Sequence, residues 1–100
     1  MHVSSLDLWV LAQRLQPDVW VTHCLDFDVM SAGDTLEDGL NSLLDAVGAC
    51  LEEDFKEGDD PLARPKAPGI YWTLFMRAQA NPTPELVAAN LIWAPDPVKP

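Results

Sequence analysis

The residues of this chain that could do chemistry are few. Asp26 and Asp28 lie two apart, so on an extended strand their carboxylates would share a face, and with Asp34 or Glu37 they could hold a divalent metal for phosphodiester cleavage. Acids flanking a strand end more commonly serve solvation, and no basic cluster accompanies these to grip a phosphate substrate, so metal-dependent cleavage is not expected. His23 and Cys24 are neighbours, and a strand sends neighbouring side chains to opposite faces. That geometry denies them a shared metal ion and a Cys–His nucleophile pair alike. Cys50 falls on the apolar stripe of a helix and His2 stands near the first residue, which leaves zinc without a ligand set; both cysteines read as buried apolar side chains. Neither a glycine-rich phosphate loop nor a serine-hydrolase elbow occurs. The expectation is a protein that is not an enzyme and carries no cofactor and no metal.

The remaining candidate chemistry is electrostatic. Between Asp26 and Asp60 there are twelve carboxylates and one base, Lys56, while the rest of the chain is almost neutral. A local negative field of this kind favours a basic partner and speeds its encounter. The acids Glu52, Glu53, Asp54, Glu57, Asp59 and Asp60 are the expected steering groups, with Tyr71 and Trp72 as aromatic anchors for the same partner. The competing role for the acids is a solvated helix face that keeps a small protein dispersed.

Length and composition set the frame for these residues. The chain has 100 residues and a formal net charge of −10, with 48% hydrophobic and 22% charged residues, a globular balance and enough chain for a single core. One domain over 1–93 is expected, followed by a proline-rich tail, 94–100, that cannot continue a sheet. The sign of the charge argues against direct nucleic-acid binding, because phosphate contacts need a basic surface. The longest uncharged apolar run, Gly69 to Met76, is far too short for a membrane span, and no secretory signal opens the chain. Two cysteines are too few for a disulfide scaffold, and the expected location is the cytoplasm.

The elements that must position the acids follow from periodicity. Leu6 to Leu15 and Val19 to Val29 both alternate apolar and other residues across the turn Gln16-Pro17-Asp18, which predicts an antiparallel hairpin. Met30-Ser31-Ala32 would make a short third strand. Asp34 or Thr35 can cap a helix, each with an acid three residues on, and Leu36, Leu40, Leu43, Leu44, Val47, Cys50 and Leu51 continue at helical spacing towards Phe55. Gly48 falls on the polar side of that helix, where core packing does not explain it. Gly58 ends the helix, a proline-bearing connection follows, Gly69 to Ala80 reads as a second helix, and Glu85 to Trp93 as a last strand. The predicted fold is α+β: a three-stranded antiparallel meander plus a C-terminal strand, packed by one long and one short helix. On this alternation Trp9 and Trp20 would share the sheet face away from the long helix, and the Gly69–Ala80 helix or a second subunit would have to cover them. Edge strands left by the meander make a homodimer an expected partner state.

The strand Trp20-Val21-Thr22-His23-Cys24-Leu25, followed by Gly33-Asp34-Thr35-Leu36-Glu37-Asp38-Gly39-Leu40, resembles the HicB-like antitoxin family, in which a similar strand leads through a third strand to a Gly-Asp-Thr-Leu-Glu helix start. The likeness covers roughly Leu6 to Phe55, with Asp38 and Gly39 standing where the family usually has glutamate and alanine. It implies a reduced ribonuclease-H-like arrangement and the binding of a small basic toxin that cleaves messenger RNA, whose active site is occluded. Many members carry a C-terminal DNA-binding unit; the residues after Trp93 are too few and too rich in proline for one. The alternative reading is an acidic inhibitor that mimics nucleic acid, such as a phage anti-CRISPR protein, with carboxylates spaced like phosphates.

Overall fold

Alternation and turn chemistry build the sheet. In a computed structural model, which describes residues 5–94, β1 (Leu6–Gln16) turns through Pro17 and Asp18 into β2 (Val19–Cys24), and β3 (Val29–Gly33) follows. After the helix α1 (Leu36–Lys56), a single 3-10 turn (Pro61–Ala63) leads to α2 (Gly69–Ala80) and β4 (Leu86–Trp93). The four strands lie in the order β3-β2-β1-β4 with every neighbouring pair antiparallel. The architecture is the α+β arrangement that the periodicity predicts. Of the expected proline-rich tail, residues 95–100 lie outside the described part, as does His2.

The second strand is shorter than its alternation suggests. Pairing stops at Cys24, and residues 25–28 form a turn in place of a strand running on to Val29. The Leu25 amide donates to the Trp9 carbonyl at 2.8 Å, and the Asp26 carboxylate accepts the Trp9 N–H at 2.7 Å. Asp28 adopts a left-handed backbone (φ 55°), a conformation that aspartate tolerates in turns. The apolar residues of this turn go to two different cores, Phe27 to the one under α1 and Leu25 to the one under α2. Asp26 and Asp28 therefore do not share a strand face.

The two helices cover opposite faces of the sheet. Leu8, Val10 and Cys24 meet Leu43, Val47 and Leu51 of α1, whereas Leu11 and Leu25 meet Phe75 and Ala78 of α2. The register pairs Val10 with Cys24 and Arg14 with Trp20. Side chains of paired residues point to the same face, so Trp20 stands on the α1 side with Cys24. Trp9 stands on the α2 side, with ring centroids 5.0 Å from Phe75 and 6.1 Å from Trp72. The expectation that Trp9 and Trp20 share one face thus fails, because the sharing depends on inter-strand register and a bulge interrupts the hairpin between Arg14 and Gln16. The expectation that α2 covers the ring of Trp9 holds.

The start of α1 is seated by close backbone approach. Thr35 caps the helix, its hydroxyl accepting from the Asp38 amide at 3.1 Å. A Cβ added to Gly33 would collide with the backbone of Gly39, and one added to Gly39 would lie 3.1 Å from the Thr22 methyl. Thr22, fully buried, donates to the Gly39 carbonyl at 2.9 Å. The Gly33–Gly39 contact sets the helix directly on β3 and β2.

Candidate protein-docking surface

Helical spacing places the carboxylates of α1, and apart from the exposed Asp45 at its middle the structure divides them between its two ends. A helix of 21 residues is about 30 Å long, which separates Asp34, Glu37 and Asp38 at its start from the acids after Leu51. At the start they face the positive pole of the helix, where carboxylates stabilise it. At the other end Glu52, Glu53, Glu57, Asp59 and Asp60 are all exposed, beside a pole that is already negative. The mutual repulsion is visible at Glu57, whose carboxyl is held above its ordinary range by the charge of Glu53, with a further contribution from Asp59. The Lys56 ammonium reaches Glu52 at 3.3 Å with both side chains 70% exposed, a pairing of little energetic weight.

Two of the expected steering acids have local duties. Asp54 turns inward and is 8% exposed; it accepts a hydrogen bond from the Arg64 guanidinium at 2.7 Å, which raises the already high Arg64 pKa. Asp60 caps the 3-10 turn, accepting from the Leu62 amide at 3.0 Å. The exposed negative surface is therefore Glu53, Glu57 and Asp59, with Glu52 loosely paired to Lys56 and Asp60 at its edge. Asp54 is a structural ion-pair partner; sequence spacing missed this because Arg64 arrives from the following loop.

Tyr71 and Trp72 lie on α2, across the sheet from α1, and their rings pack inward. The Trp72 indole N–H donates to the Ala67 carbonyl at 3.0 Å, and the Tyr71 ring meets His23 edge-on with centroids 4.7 Å apart. Both are half-buried, and the apolar residues that α2 leaves outward are Ile70 and Met76. The structure thus does not bring these aromatics to the acidic end of α1. What lies beside the acids is a groove bordered by Gly48, Phe55 and Trp93. Gly48, unexplained on the polar side of its helix, was the signal for it: a Cβ there would sit 3.2 Å from the Trp93 indole nitrogen.

The residues weighed for catalysis are occupied or apart. Asp28 pairs with His23 Nε2 at 2.7 Å, and Asp26 holds the Trp9 amide. His23 and Cys24 do point to opposite faces, His23 to Tyr71 and Cys24 to the α1 core. Burial pushes the Cys24 thiol up to about 11, which leaves it protonated and unreactive at neutral pH. Among the described residues no three His, Cys, Asp or Glu side chains gather closely enough to hold a metal ion, and no helix is long and apolar enough to cross a membrane.

Comparison with protein-family models, with curated proteins and with solved structures finds no match.

Proposed function

We propose that this protein is a non-catalytic binding module that docks a basic protein through the acidic end of α1, acting in the cytoplasm in the manner of a HicB-type antitoxin that occludes its toxin. What supports the reading is the placement of Glu52, Glu53, Glu57 and Asp59 at the negative pole of a helix, where Glu53 and then Asp59 raise the Glu57 pKa by repulsion. Folding alone gives no reason to collect carboxylates there, since each would be more favourable at the other pole. A cationic partner supplies the missing counter-charge and turns the local cost into binding energy.

The test is capture of a small basic ribonuclease-type protein by the tagged chain, followed by titration of the purified pair at rising salt. Affinity should fall steeply with ionic strength, and Glu53→Gln with Glu57→Gln should lower it about tenfold. Recovery of the chain alone, or an affinity indifferent to salt and to both substitutions, would count against the proposal. If the same acids instead imitate nucleic acid, DNA or RNA will compete with the chain for its target.

A further inference from the structure

The sheet ends at β4 in an edge with no guard. Natural edge strands are kept from pairing by charges, prolines or brevity; β3, the other edge, has only five residues. By contrast, β4 reads Leu-Val-Ala-Ala-Asn-Leu-Ile-Trp over eight residues, with neither a charge nor a proline. Among the described residues it pairs in the sheet with β1 alone, so beyond Leu86, whose amide is held by the Thr83 hydroxyl at 3.1 Å, the N–H and C=O groups of alternate residues face outward. Beside the end of this strand lies the groove, about 950 Å³ in volume.

The groove reaches round that edge. Leu91 pairs with Leu8, whose face is covered by α1, so Trp93 faces α1 and Ile92 faces the opposite way. Ile92 and Trp93 both line the same groove as Gly48, Leu51 and Phe55 of α1, where β4 forms the last strand of the sheet. Ile92 is 69% exposed and Phe55 36%. Among the described residues the rim carries Asp45 and Glu52 against one base, Lys56, which pairs with Glu52 and leaves Asp45 without a counter-charge.

We infer that the groove takes an extended basic segment of another protein, which pairs with β4 as a fifth strand. Its backbone satisfies the open edge, alternate apolar side chains enter between Trp93 and Phe55, and its Lys or Arg residues meet Asp45 and Glu52. The charge of this occupant rests on the acidic-docking reading above; the strand pairing rests on β4 alone. A second copy of the chain is the poorer fit. Two β4 strands joined across a twofold axis would set both α1 helices on one face of the joint sheet, and each chain carries a net charge of −10. The residues after Ala94, PDPVKP, include three prolines and so lack the N–H donors that a ladder needs.

A capped peptide alternating valine with lysine, titrated into the isotopically labelled full chain, reads the mode of binding directly by amide NMR. Two versions N-methylated at alternate residues, one in each phase, keep the side chains and charge but each block a different edge of the peptide. The expected result is that β4 amides shift and that the alternate ones not bonded to β1 gain exchange protection, with Gly48 and Phe55 also shifting. One methylation phase should weaken binding about tenfold or more while the other leaves it near the parent value. Equal binding by both phases overturns the strand pairing, as does an absence of shifts in β4. Shifts confined to Glu53, Glu57 and Asp59 overturn it while leaving the acidic-docking reading standing. Equal binding of a valine–glutamate peptide through β4 removes the basic occupant and that reading, and keeps the edge. Protection of β4 in a concentration-dependent dimer without peptide assigns the edge to a second copy and overturns the proposal.

Discussion

Both ends of α1 carry carboxylates, three at the start and twice as many at the finish, and put them to opposite uses. At the start, Thr35 satisfies a free amide, Glu37 and Asp38 complement the helix dipole, and Gly33 and Gly39 let the backbone sit on the sheet. Every feature there lowers the energy of the fold. At the finish, Glu52, Glu53, Glu57 and Asp59 oppose the dipole and one another, the backbone leaves through Gly58 at φ 76°, and an apolar groove stays open alongside. One end anchors the helix; the other is left with unspent charge and an unfilled surface. Stability given up in one place and recovered elsewhere is the common signature of a binding surface.

The largest break in this comparison should come at the anchored end. Gly33→Ala forces a Cβ into the backbone of Gly39, which no rotamer change relieves, and should cost about 3 kcal/mol or more in urea unfolding. Next comes the core midway along the helix, where alkaline pH tests the burial of Cys24. The unfolded thiol ionises from its ordinary 9.0 while the folded thiol keeps its proton to about 11. Its stabilising contribution is therefore whole below pH 9 and is lost as pH rises towards 11, by about 2–3 kcal/mol. In Cys24→Ala that part of the pH dependence should vanish, measured by thermal melts across the same range. Thr35→Ala should then cost about 1 kcal/mol in the same urea assay, through loss of the cap.

The smallest effect, and the one of opposite sign, belongs to the acidic end. Because the Glu57 pKa is raised in the fold, protonation favours the folded state. Mild acid that titrates Glu57 should therefore relieve the repulsion, whereas neutral pH should restore it in full. Glu57→Gln should raise the thermal midpoint slightly at neutral pH and low salt, with the gain shrinking as salt screens the parent protein.

Much of the fold is legible in the sequence because its determinants are local. The Thr35 cap, the leucine stripe of α1, the left-handed Gly58 and the second helix from Gly69 are each set by residues a few positions apart. What escapes is set by register and by distant chain. The alternation through Leu25, Phe27 and Val29 imitates a strand, but those side chains serve two cores on either side of a turn held by Trp9. Trp9 and Trp20 part company because the pairing of Arg14 with Trp20 depends on a bulge that periodicity does not record. The proposed docking surface is legible as a density of acids and no further. Asp54 is withdrawn from it by Arg64, ten residues on, and Tyr71 and Trp72 are withdrawn by their contacts with His23 and Trp9 on the α2 face of the sheet.

The central claim is that the finish of α1 gives up stability for binding, and one paired measurement on Glu53→Gln/Glu57→Gln tests it. The thermal midpoint and the affinity for the basic partner are read on the same protein in the same low-salt buffer. A higher midpoint together with weaker binding is the predicted result. A lower midpoint, or an affinity equal to that of the parent, would contradict the claim and return these carboxylates to the role of a solvated helix end.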